Sequence, residues 1–171
     1  MQMVTVAIAD PDPGRRTRLE QSLQGGEGIK VLTNVMSNGS DVSSDRRLNL
    51  RSGITAIEEV IARISRLNPR ILFVNLDQSE AGDFALLEAL HRECPETFVV
   101  LLTDKSAKEE QIMQALANGA RGCLNREADP FYFLKAARVV DRGEIWVTRQ
   151  MLGKIMNQVC INIMVIDRSN S

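Results

Sequence analysis

The stretch Pro69-Arg70-Ile71-Leu72-Phe73-Val74-Asn75-Leu76-Asp77 decides the fold of this chain. Its unbroken apolar run has the length and character of a strand that is buried on both faces of a parallel sheet. In open α/β sheets, ligands and chemistry gather just beyond the carboxyl ends of such strands. The residue at that end is Asn75, so the functional interpretation depends on an amide rather than a carboxylate.

Strand and helix patterns alternate on either side of this stretch. The other predicted strands are 3–9, 29–35, 98–102 and 122–124. The helices between and after them carry apolar residues at helical spacing: Leu19 and Leu23; Ile54, Ile57, Ile61 and Ile64; Phe84, Leu87 and Leu90; Ile112, Met113 and Leu116; Phe131, Leu134, Ala137 and Val140. Five strands alternating with five helices require a parallel sheet with helices on both faces.

Turn and capping residues mark the boundaries of these elements. Asp12 is a good N-cap with Pro13 at the first helical position, Ser106 can cap the fourth helix, and Pro130 opens the fifth. Residues 37–53 are polar and rich in Ser, Asn and Arg, which predicts a long surface loop inserted into the domain. Its arginines are only weak grounds for an anionic partner.

Composition and charge exclude few functions. Of the 171 residues, 44% are hydrophobic and 25% charged, and the net charge is −1, so nothing commits the surface to nucleic acid or to an anionic membrane. No apolar run approaches membrane-spanning length and the N-terminus lacks a signal peptide's basic region, so we expect a cytoplasmic protein without membrane contact. Cys94, Cys123 and Cys160 are widely spaced, which favours reduced thiols over a disulfide or a metal site.

Residues 144–171 follow the predicted domain of residues 1–143 as a linker helix and tail. Ile145-Trp146-Val147 leads into a helical pattern with a wide apolar face. A face of this width must pack on the domain or on a second copy of the chain. The apolar residues are Met151, Leu152, Ile155, Met156, Val159 and Ile163, and the last five residues are expected to fray.

The predicted strand ends carry a set of polar residues with a family likeness. Asp10, Asn75, Thr103 and Arg126 end strands one, three, four and five. With AIADPDPGRRTRLEQSL, PRILFVNLD, VVLLTD and ANGARGCLNREADPFYFLKAARVVDRGEIWVTRQML, they resemble the receiver domain of bacterial two-component response regulators, nearest to the NarL/FixJ type of transcription factor. The likeness covers residues 3 to about 155 apart from 37–53. It implies a flavodoxin-like (βα)5 three-layer sandwich with strand order 2-1-3-4-5.

The resemblance also implies a chemistry, from which this sequence departs. In the family an aspartate on strand three accepts a phosphoryl group, two acids after strand one join it in holding Mg²⁺, and a Thr or Ser and a Lys bind the phosphoryl oxygens. Here Asn75 occupies the acceptor position, and an amide cannot form the acyl phosphate. Asp10 matches the first acid, but Pro11 stands at the second, and Asp12 lies one residue late.

The remaining positions extend these departures. Thr103 matches the family, Arg126 replaces the Lys with a cation of different shape, and Cys123 stands where an aromatic switch residue is usual. Four changes around one pocket predict that phosphorylation is lost and that Mg²⁺ binding is weak or absent. Asp77 is a poor substitute acceptor because the strand should end before it. No cofactor or resident metal is expected.

Three functions follow from this comparison. The first is a degenerate, non-enzymatic receiver of a transcriptional regulator, which signals by homodimerisation or protein contacts. Such a receiver would bind DNA only through a helix-turn-helix domain, which these residues lack. A sensor kinase is a possible partner. The second is a sensor in which Asp10, Asn75, Thr103 and Arg126, otherwise a hydrogen-bonded polar cluster, bind a small anion. The third, a phosphatase using Asp10 and Asp12, resembles haloacid-dehalogenase-type enzymes but is opposed by the rest of the chain.

Overall fold

A parallel sheet with helices on both faces forms the centre of the computed structural model, which describes residues 3–10, 12–33, 53–75, 82–104 and 108–157. The strands are β1 Val4–Ala9, β2 Ile29–Leu32, β3 Ile71–Asn75, β4 Phe98–Thr103 and β5 Gly122–Asn125. The helices are α1 Pro13–Gln24, α2 Gly53–Leu67, α3 Gly82–Glu93, α4 Glu109–Ala117 and α5 Pro130–Asp141, followed by a helical segment over 149–157, here α6.

Among the described residues, the strand order is β2-β1-β3-β4-β5 and every neighbouring pair is parallel. The central strand is β3, and all five of its residues are buried. The predicted flavodoxin-like topology is therefore confirmed, and the apolar run ending at Asn75 forms the middle strand of the sheet. Parallel pairing brings the carboxyl ends of β1, β3, β4 and β5 to one edge of the sheet.

Two apolar layers enclose the sheet, because successive side chains of a strand point to opposite faces. Ile71 and Phe73 pack with Leu23 of α1 and Phe133 of α5 on one face. On the other face, Leu72 and Val74 pack with residues of α2, α3 and α4, namely Ile64, Leu87, Leu90 and Ala115. This arrangement is the predicted three-layer sandwich.

The core face of α5 differs from the prediction. Of the four apolar residues predicted for this helix, Ala137 and Val140 are buried, but Phe131 is 61% exposed. Phe133, which the predicted stripe left out, is only 1% exposed. Phe133, Ala136, Ala137 and Val140 follow the i, i+3, i+4, i+7 spacing of one helix face. The ring of Phe133 meets Phe73 edge-on, with centroids 5.5 Å apart.

Most predicted boundaries lie within a few residues of the observed ones. Asp12 caps α1 with Pro13 at its first position, and Asp129 caps α5 ahead of Pro130. Two helices begin at other residues than predicted. The helix α2 already begins at Gly53, the last residue of the predicted loop, and α4 begins at Glu109, after Lys108 and not directly after Ser106. The end of the predicted second strand, most of the inserted loop and the proposed cap Ser106 lie outside the described residues.

The segment after α5 runs along the outer edge of the sheet. Gly143, at φ 89°, ends α5, and Trp146 then forms a parallel bridge with Gly122 of β5. Of the apolar residues predicted for α6, Met151 is buried, whereas Leu152 and Met156 are 46% and 54% exposed. Val159 and Ile163 lie outside the described residues. None of the helices described is long and apolar enough to cross a membrane.

Candidate functional site

Polar residues at the carboxyl edge of the sheet form the candidate site. Asp10 follows β1 directly, and Asn75 ends β3; both are buried, with 3% and 8% of their surface exposed. Burial of a carboxylate is costly unless hydrogen bonds and a countercharge compensate it. The partners of Asp10 therefore determine what this site can do.

Four donors satisfy the Asp10 carboxylate. Arg15 binds it bidentately, with Nε 3.1 Å from Oδ2 and Nη2 3.1 Å from Oδ1. The backbone N–H of Asp12 donates to Oδ1 at 2.9 Å, and the Asn75 side-chain amide donates to Oδ2 at 3.1 Å. A fork of two parallel N–H···O bonds is the strongest form of carboxylate recognition that an arginine offers. The positive charge that compensates the Asp10 carboxylate is therefore the Arg15 guanidinium.

The start of α1 brings Arg15 to this position. The Asp12 side chain accepts from the N–H of Gly14 at 3.3 Å, which caps the helix, and its other oxygen lies 3.5 Å from Arg15 Nε. Arg15 is then in the first turn, from which its side chain reaches back to Asp10. The prediction that Asp12 is committed to capping is confirmed.

The burial of Arg16 was not expected from the sequence. Its side chain is among the buried charged groups, and Nη1 donates to the backbone carbonyl of Asp10 at 2.9 Å. Nε lies 3.8 Å from Glu20, one helical turn further on. Burial raises the pKa of Glu20, and the charge of Arg16 opposes that shift. An Arg-Glu pair at i, i+4 is common on solvent-exposed helix faces, so spacing alone did not distinguish this one.

The environment of Asp10 favours its ionised form. Burial alone would raise the pKa of its carboxyl group, but hydrogen bonds from Arg15, Asp12 and Asn75, together with the Arg15 charge, lower the pKa below its ordinary value of 3.8. A group in this state is a fixed anion at neutral pH. It is a poor general acid or base because it does not exchange its proton near the working pH.

The β4 and β5 ends form a second group, whose carboxylate is more exposed than that of Asp10. Arg126 Nη2 donates to Asp104 Oδ2 at 3.2 Å, with side-chain exposures of 30% and 28%. The backbone N–H of Arg126 donates to the carbonyl of Thr103 at 2.8 Å. The Thr103 hydroxyl lies 3.7 Å from the Cys123 thiol, whose pKa is raised by burial and lowered in part by that contact. Cys123 therefore remains a protonated thiol.

The four strand-end residues predicted to act together are divided between these two groups. Asp10 and Asn75 are joined by a hydrogen bond, whereas Arg126 pairs with Asp104 and Thr103 contacts Cys123. Arg15 and Asp104, the partners of Asp10 and Arg126, were not predicted from the sequence. The position of Arg15 in the first turn after an aspartate-capped loop is compatible with this contact but does not specify it. Asp77 and Pro11 lie outside the described residues.

A groove opens beside the first group, between α1 and the β5–α5 connection. Its cavity volume is about 550 Å³, within the range of small-molecule sites. The lining residues are Asp10, Arg15, Arg18, Leu19, Ser22, Leu102, Arg126, Glu127, Ala128, Pro130 and Phe133. The groove combines an apolar floor with guanidinium groups.

The donor set at Asp10 does not fit Mg²⁺. This cation requires several oxygen ligands in near-octahedral geometry, preferably carboxylates. Here both oxygens of Asp10 accept from Arg15, and Pro11 occupies the position where the resemblance places a second acid. The Arg15 guanidinium supplies the positive charge that a metal ion would otherwise bring.

The fold matches known structures, whereas comparisons of sequence find nothing. No protein-family model and no curated protein matches the chain. The apo receiver domain of RcsB from Salmonella enterica serovar Typhimurium superposes with a TM-score of 0.65 at 16% identity, covering 90% of this chain and 98% of that one. A LuxR family DNA-binding response regulator from Silicibacter pomeroyi gives 0.55 at 21% identity, covering 86% and 99%.

A third match is described as a pilus assembly protein and not as a response regulator. A Burkholderia thailandensis protein assigned to pilus assembly, cpaE, gives a TM-score of 0.61 at 16% identity, covering 83% of this chain and 100% of that one. The chain therefore has the flavodoxin-like fold of response-regulator receiver domains. At these identities the likeness establishes the fold, and function has to be argued from the site.

Proposed function

We propose that this chain is a degenerate receiver domain of a transcriptional response regulator, which signals through dimer or protein contacts without phosphorylation. One observation carries the proposal: Asn75, at the acceptor position, donates its amide to an Asp10 carboxylate that Arg15 holds bidentately. An acyl phosphate needs a carboxylate nucleophile, and Mg²⁺ needs open carboxylate oxygens. The site offers neither, which supports a role that is not enzymatic.

The Asp10–Asp12 pair also lacks what a phosphatase would need. A nucleophilic aspartate must approach the phosphorus atom, but both oxygens of Asp10 are committed to Arg15. Asp12 is committed to the cap of α1. These contacts favour a structural role for both carboxylates.

The test of lost phosphorylation is the intact mass after incubation with Mg²⁺ and acetyl phosphate. We expect no phosphoryl adduct on this chain, while a phosphorylatable receiver domain mixed into the same reaction becomes modified and shows that the donor is active. A stoichiometric adduct would contradict the proposal. Peptide mapping would then identify the acceptor, with Asp77 and Asp12 as the first positions to inspect.

Homodimerisation is the form of contact we propose, and exposed rings on α5 support it. Phe131 and Tyr132 are 61% and 48% exposed and meet edge-on with centroids 5.7 Å apart. Aromatic side chains are enriched where proteins associate. Sedimentation velocity should show a dimer that Phe131→Ser weakens, whereas Met3→Ser, at a residue 57% exposed, leaves it unchanged. A wild-type chain that stays monomeric at high concentration would contradict this part.

DNA and kinase contacts belong to the same proposal. The likeness to a LuxR family DNA-binding response regulator supports a transcriptional role. With a net charge of −1, these residues offer no overall attraction to DNA, so we propose that DNA is bound only by a helix-turn-helix domain outside them. An electrophoretic shift produced by this chain alone would contradict that assignment. A sensor kinase, if one acts here, would act through protein contact rather than phosphoryl transfer.

The second candidate function is a pseudo-receiver that senses a small anionic ligand. The groove beside Asp10 supports it, because Arg126 lines a cavity of about 550 Å³ and its side chain is 30% exposed. Thermal-shift measurements with phosphate and small carboxylic acids test this function. A rise in melting temperature that Arg126→Gln abolishes and Arg63→Gln preserves would favour the sensor. No rise with any of these anions would leave the contact-only receiver.

A further inference from the structure

The segment 144–157, here called the strap, extends the sheet past β5. The N–H of Trp146 donates to the carbonyl of Arg121 at 3.0 Å, and its carbonyl accepts from the N–H of Cys123 at 2.9 Å. These bonds form a parallel bridge with Gly122. The strap thereby covers the first part of the β5 edge, from Arg121 to Cys123, where an uncovered strand would present free backbone donors and acceptors.

Close backbone contact at Gly122 allows this pairing. A Cβ atom at that position would lie 2.7 Å from the carbonyl oxygen of Trp146 and 3.0 Å from its Cβ. No side chain fits at such distances without a shift of the strap. Gly122 is therefore a steric requirement of the closed strap.

One cap within the strap and two contacts with the domain, at Met151 and Lys154, hold its far end. Thr148 caps the helix, since its hydroxyl accepts from the N–H of Met151 at 3.1 Å. Met151 is 6% exposed, so its side chain is seated against the domain. Lys154 forms an ion pair with Glu109 at the start of α4.

The strap is nevertheless held far more weakly than the strands of the sheet. A single bridge joins it to β5, whereas four consecutive residues of β5 are in register with β4. Its outer surface remains open, with Ile145, Leu152 and Met156 each about half exposed. A segment with few buried contacts opens at lower free energy than the core on which it lies.

We propose that the strap is a self-capping lid, which opens without unfolding the domain and which, when closed, prevents the β5 edge from pairing with a second copy of the chain. Opening would break both backbone hydrogen bonds of Trp146 and expose the buried side chain of Met151. The exposed edge would then be free for strand addition, the usual result of an unpaired edge. This inference rests on the geometry of β5 and does not require the degenerate pocket.

The test of opening compares Gly122→Ala with Gly25→Ala. Both variants add one methyl group, but a Cβ at Gly25 meets nothing within 4 Å, and its φ is −77°. Trp146 is the only tryptophan of the chain and reports the position of the strap. We expect acrylamide quenching of Trp146 to rise at least about two-fold in Gly122→Ala and to stay unchanged in Gly25→Ala, with the far-ultraviolet circular dichroism of both as in the wild type. Unchanged quenching in a folded Gly122→Ala would overturn the proposal.

Hydrogen exchange in the wild type tests independent opening without any substitution. The amides of Cys123 and Trp146 should exchange at least about ten-fold faster than that of Val74 in the central strand. Equal rates would mean that the strap opens only when the whole domain unfolds, which overturns the lid. This measurement decides the matter even if Gly122→Ala does not fold.

The ion pair between Lys154 and Glu109 allows a weaker perturbation of the strap, which a charge exchange should reverse. Lys154→Glu places a like charge opposite Glu109 and should increase Trp146 quenching, while the double exchange with Glu109→Lys should restore the wild-type value. Sedimentation velocity then tests the capping. Gly122→Ala should form larger species than the wild type and Gly25→Ala at equal concentration, and unchanged sedimentation with an exposed Trp146 would overturn the proposed block on self-association.

Discussion

The two ends of the candidate site differ in how deeply their carboxylates are buried. At the β1 end, Asp10 is almost fully buried, and Arg15, Asn75 and a backbone amide satisfy it. At the β4–β5 end, Arg126 and Asp104 pair through one 3.2 Å contact and keep close to 30% of their side-chain surface exposed. At the first end the carboxylate is buried, although Arg15 keeps 42% of its side-chain surface exposed, while at the second end both partners are partly exposed.

This contrast separates a buried carboxylate, which its neighbours neutralise, from an ion pair in which both side chains reach solvent. The Arg15 guanidinium and the hydrogen bonds from Asp12 and Asn75 allow the Asp10 carboxylate to remain buried and ionised. The outer pair, Arg126 and Asp104, keeps part of each side chain accessible to solvent. Substitutions at the first end should therefore affect stability, and substitutions at the second should affect surface recognition.

The largest expected effect is that of Asn75→Asp. It replaces the amide donor by a carboxylate beside Asp10, where two like charges cannot both ionise cheaply. We expect a loss on the order of 3 kcal/mol in the free energy of unfolding at pH 7, the scale of an uncompensated buried charge. Urea denaturation measures it, and Asn75→Ala, which removes the donor without adding charge, is the control.

The same variant carries a pH signature. The repulsion raises the pKa of one carboxyl of the pair, so folded Asn75→Asp binds more protons than the unfolded chain and gains relative stability as the pH falls. The deficit against the wild type should therefore shrink between pH 7 and pH 5. A deficit that is constant over this range, or smaller than that of Asn75→Ala, would show that Asp10 is not ionised as described.

Arg15→Gln should have the second-largest effect. It removes the bidentate partner of Asp10, and we expect a loss on the order of 2 kcal/mol, reduced from the value for a fully buried pair because the Arg15 side chain is 42% exposed. The control is Arg18→Gln on the same helix. Equal unfolding midpoints for the two variants would contradict the role given to Arg15.

The pH dependence of the wild type sharpens the comparison further. Because the folded pKa of Asp10 lies below its ordinary value of 3.8, its contribution to stability is fully present above the unfolded value and is lost as the pH falls through the folded value. Acid unfolding below about pH 4 should therefore be steeper in the wild type than in Asp10→Asn. Parallel acid limbs would count against a lowered pKa.

The smallest effect is expected at the outer pair. Arg126→Gln and Asp104→Asn should each change the free energy of unfolding by less than about 1 kcal/mol, as is usual for ion pairs in contact with solvent. Added salt should reduce the difference. A loss as large as that of Arg15→Gln would remove the distinction between the two ends of the site.

Several features of the site followed from local signals in the sequence. The apolar run ending at Asn75 placed that amide at the edge of the sheet, and the Asp12–Pro13 pair located the start of α1. Residues that act through their neighbours were not found this way. Arg15 and Asp104 became partners of Asp10 and Arg126 only through the approach of a helix or a strand end.

The misassigned face of α5 has a similar cause. Both Phe131 and Phe133 fit an apolar helix stripe, and the choice depends on where α5 meets the sheet. Phe133 is opposite Phe73, whereas Phe131 lies in the first turn and remains exposed. Likewise, the apolar pattern of the strap required a packing partner but did not distinguish the buried Met151 from the exposed Leu152 and Met156.

The sequence by itself determined the alternation of strands and helices, the parallel sheet and the amide at the end of β3, because each depends on periodicity or on a single residue type. The tertiary structure alone decided that Arg15 binds the Asp10 carboxylate, that Arg16 is buried and that Trp146 of the strap pairs with Gly122 of β5. Those outcomes depend on distances between segments far apart in the chain or on the direction of a side chain. Spacing along a sequence does not specify either quantity.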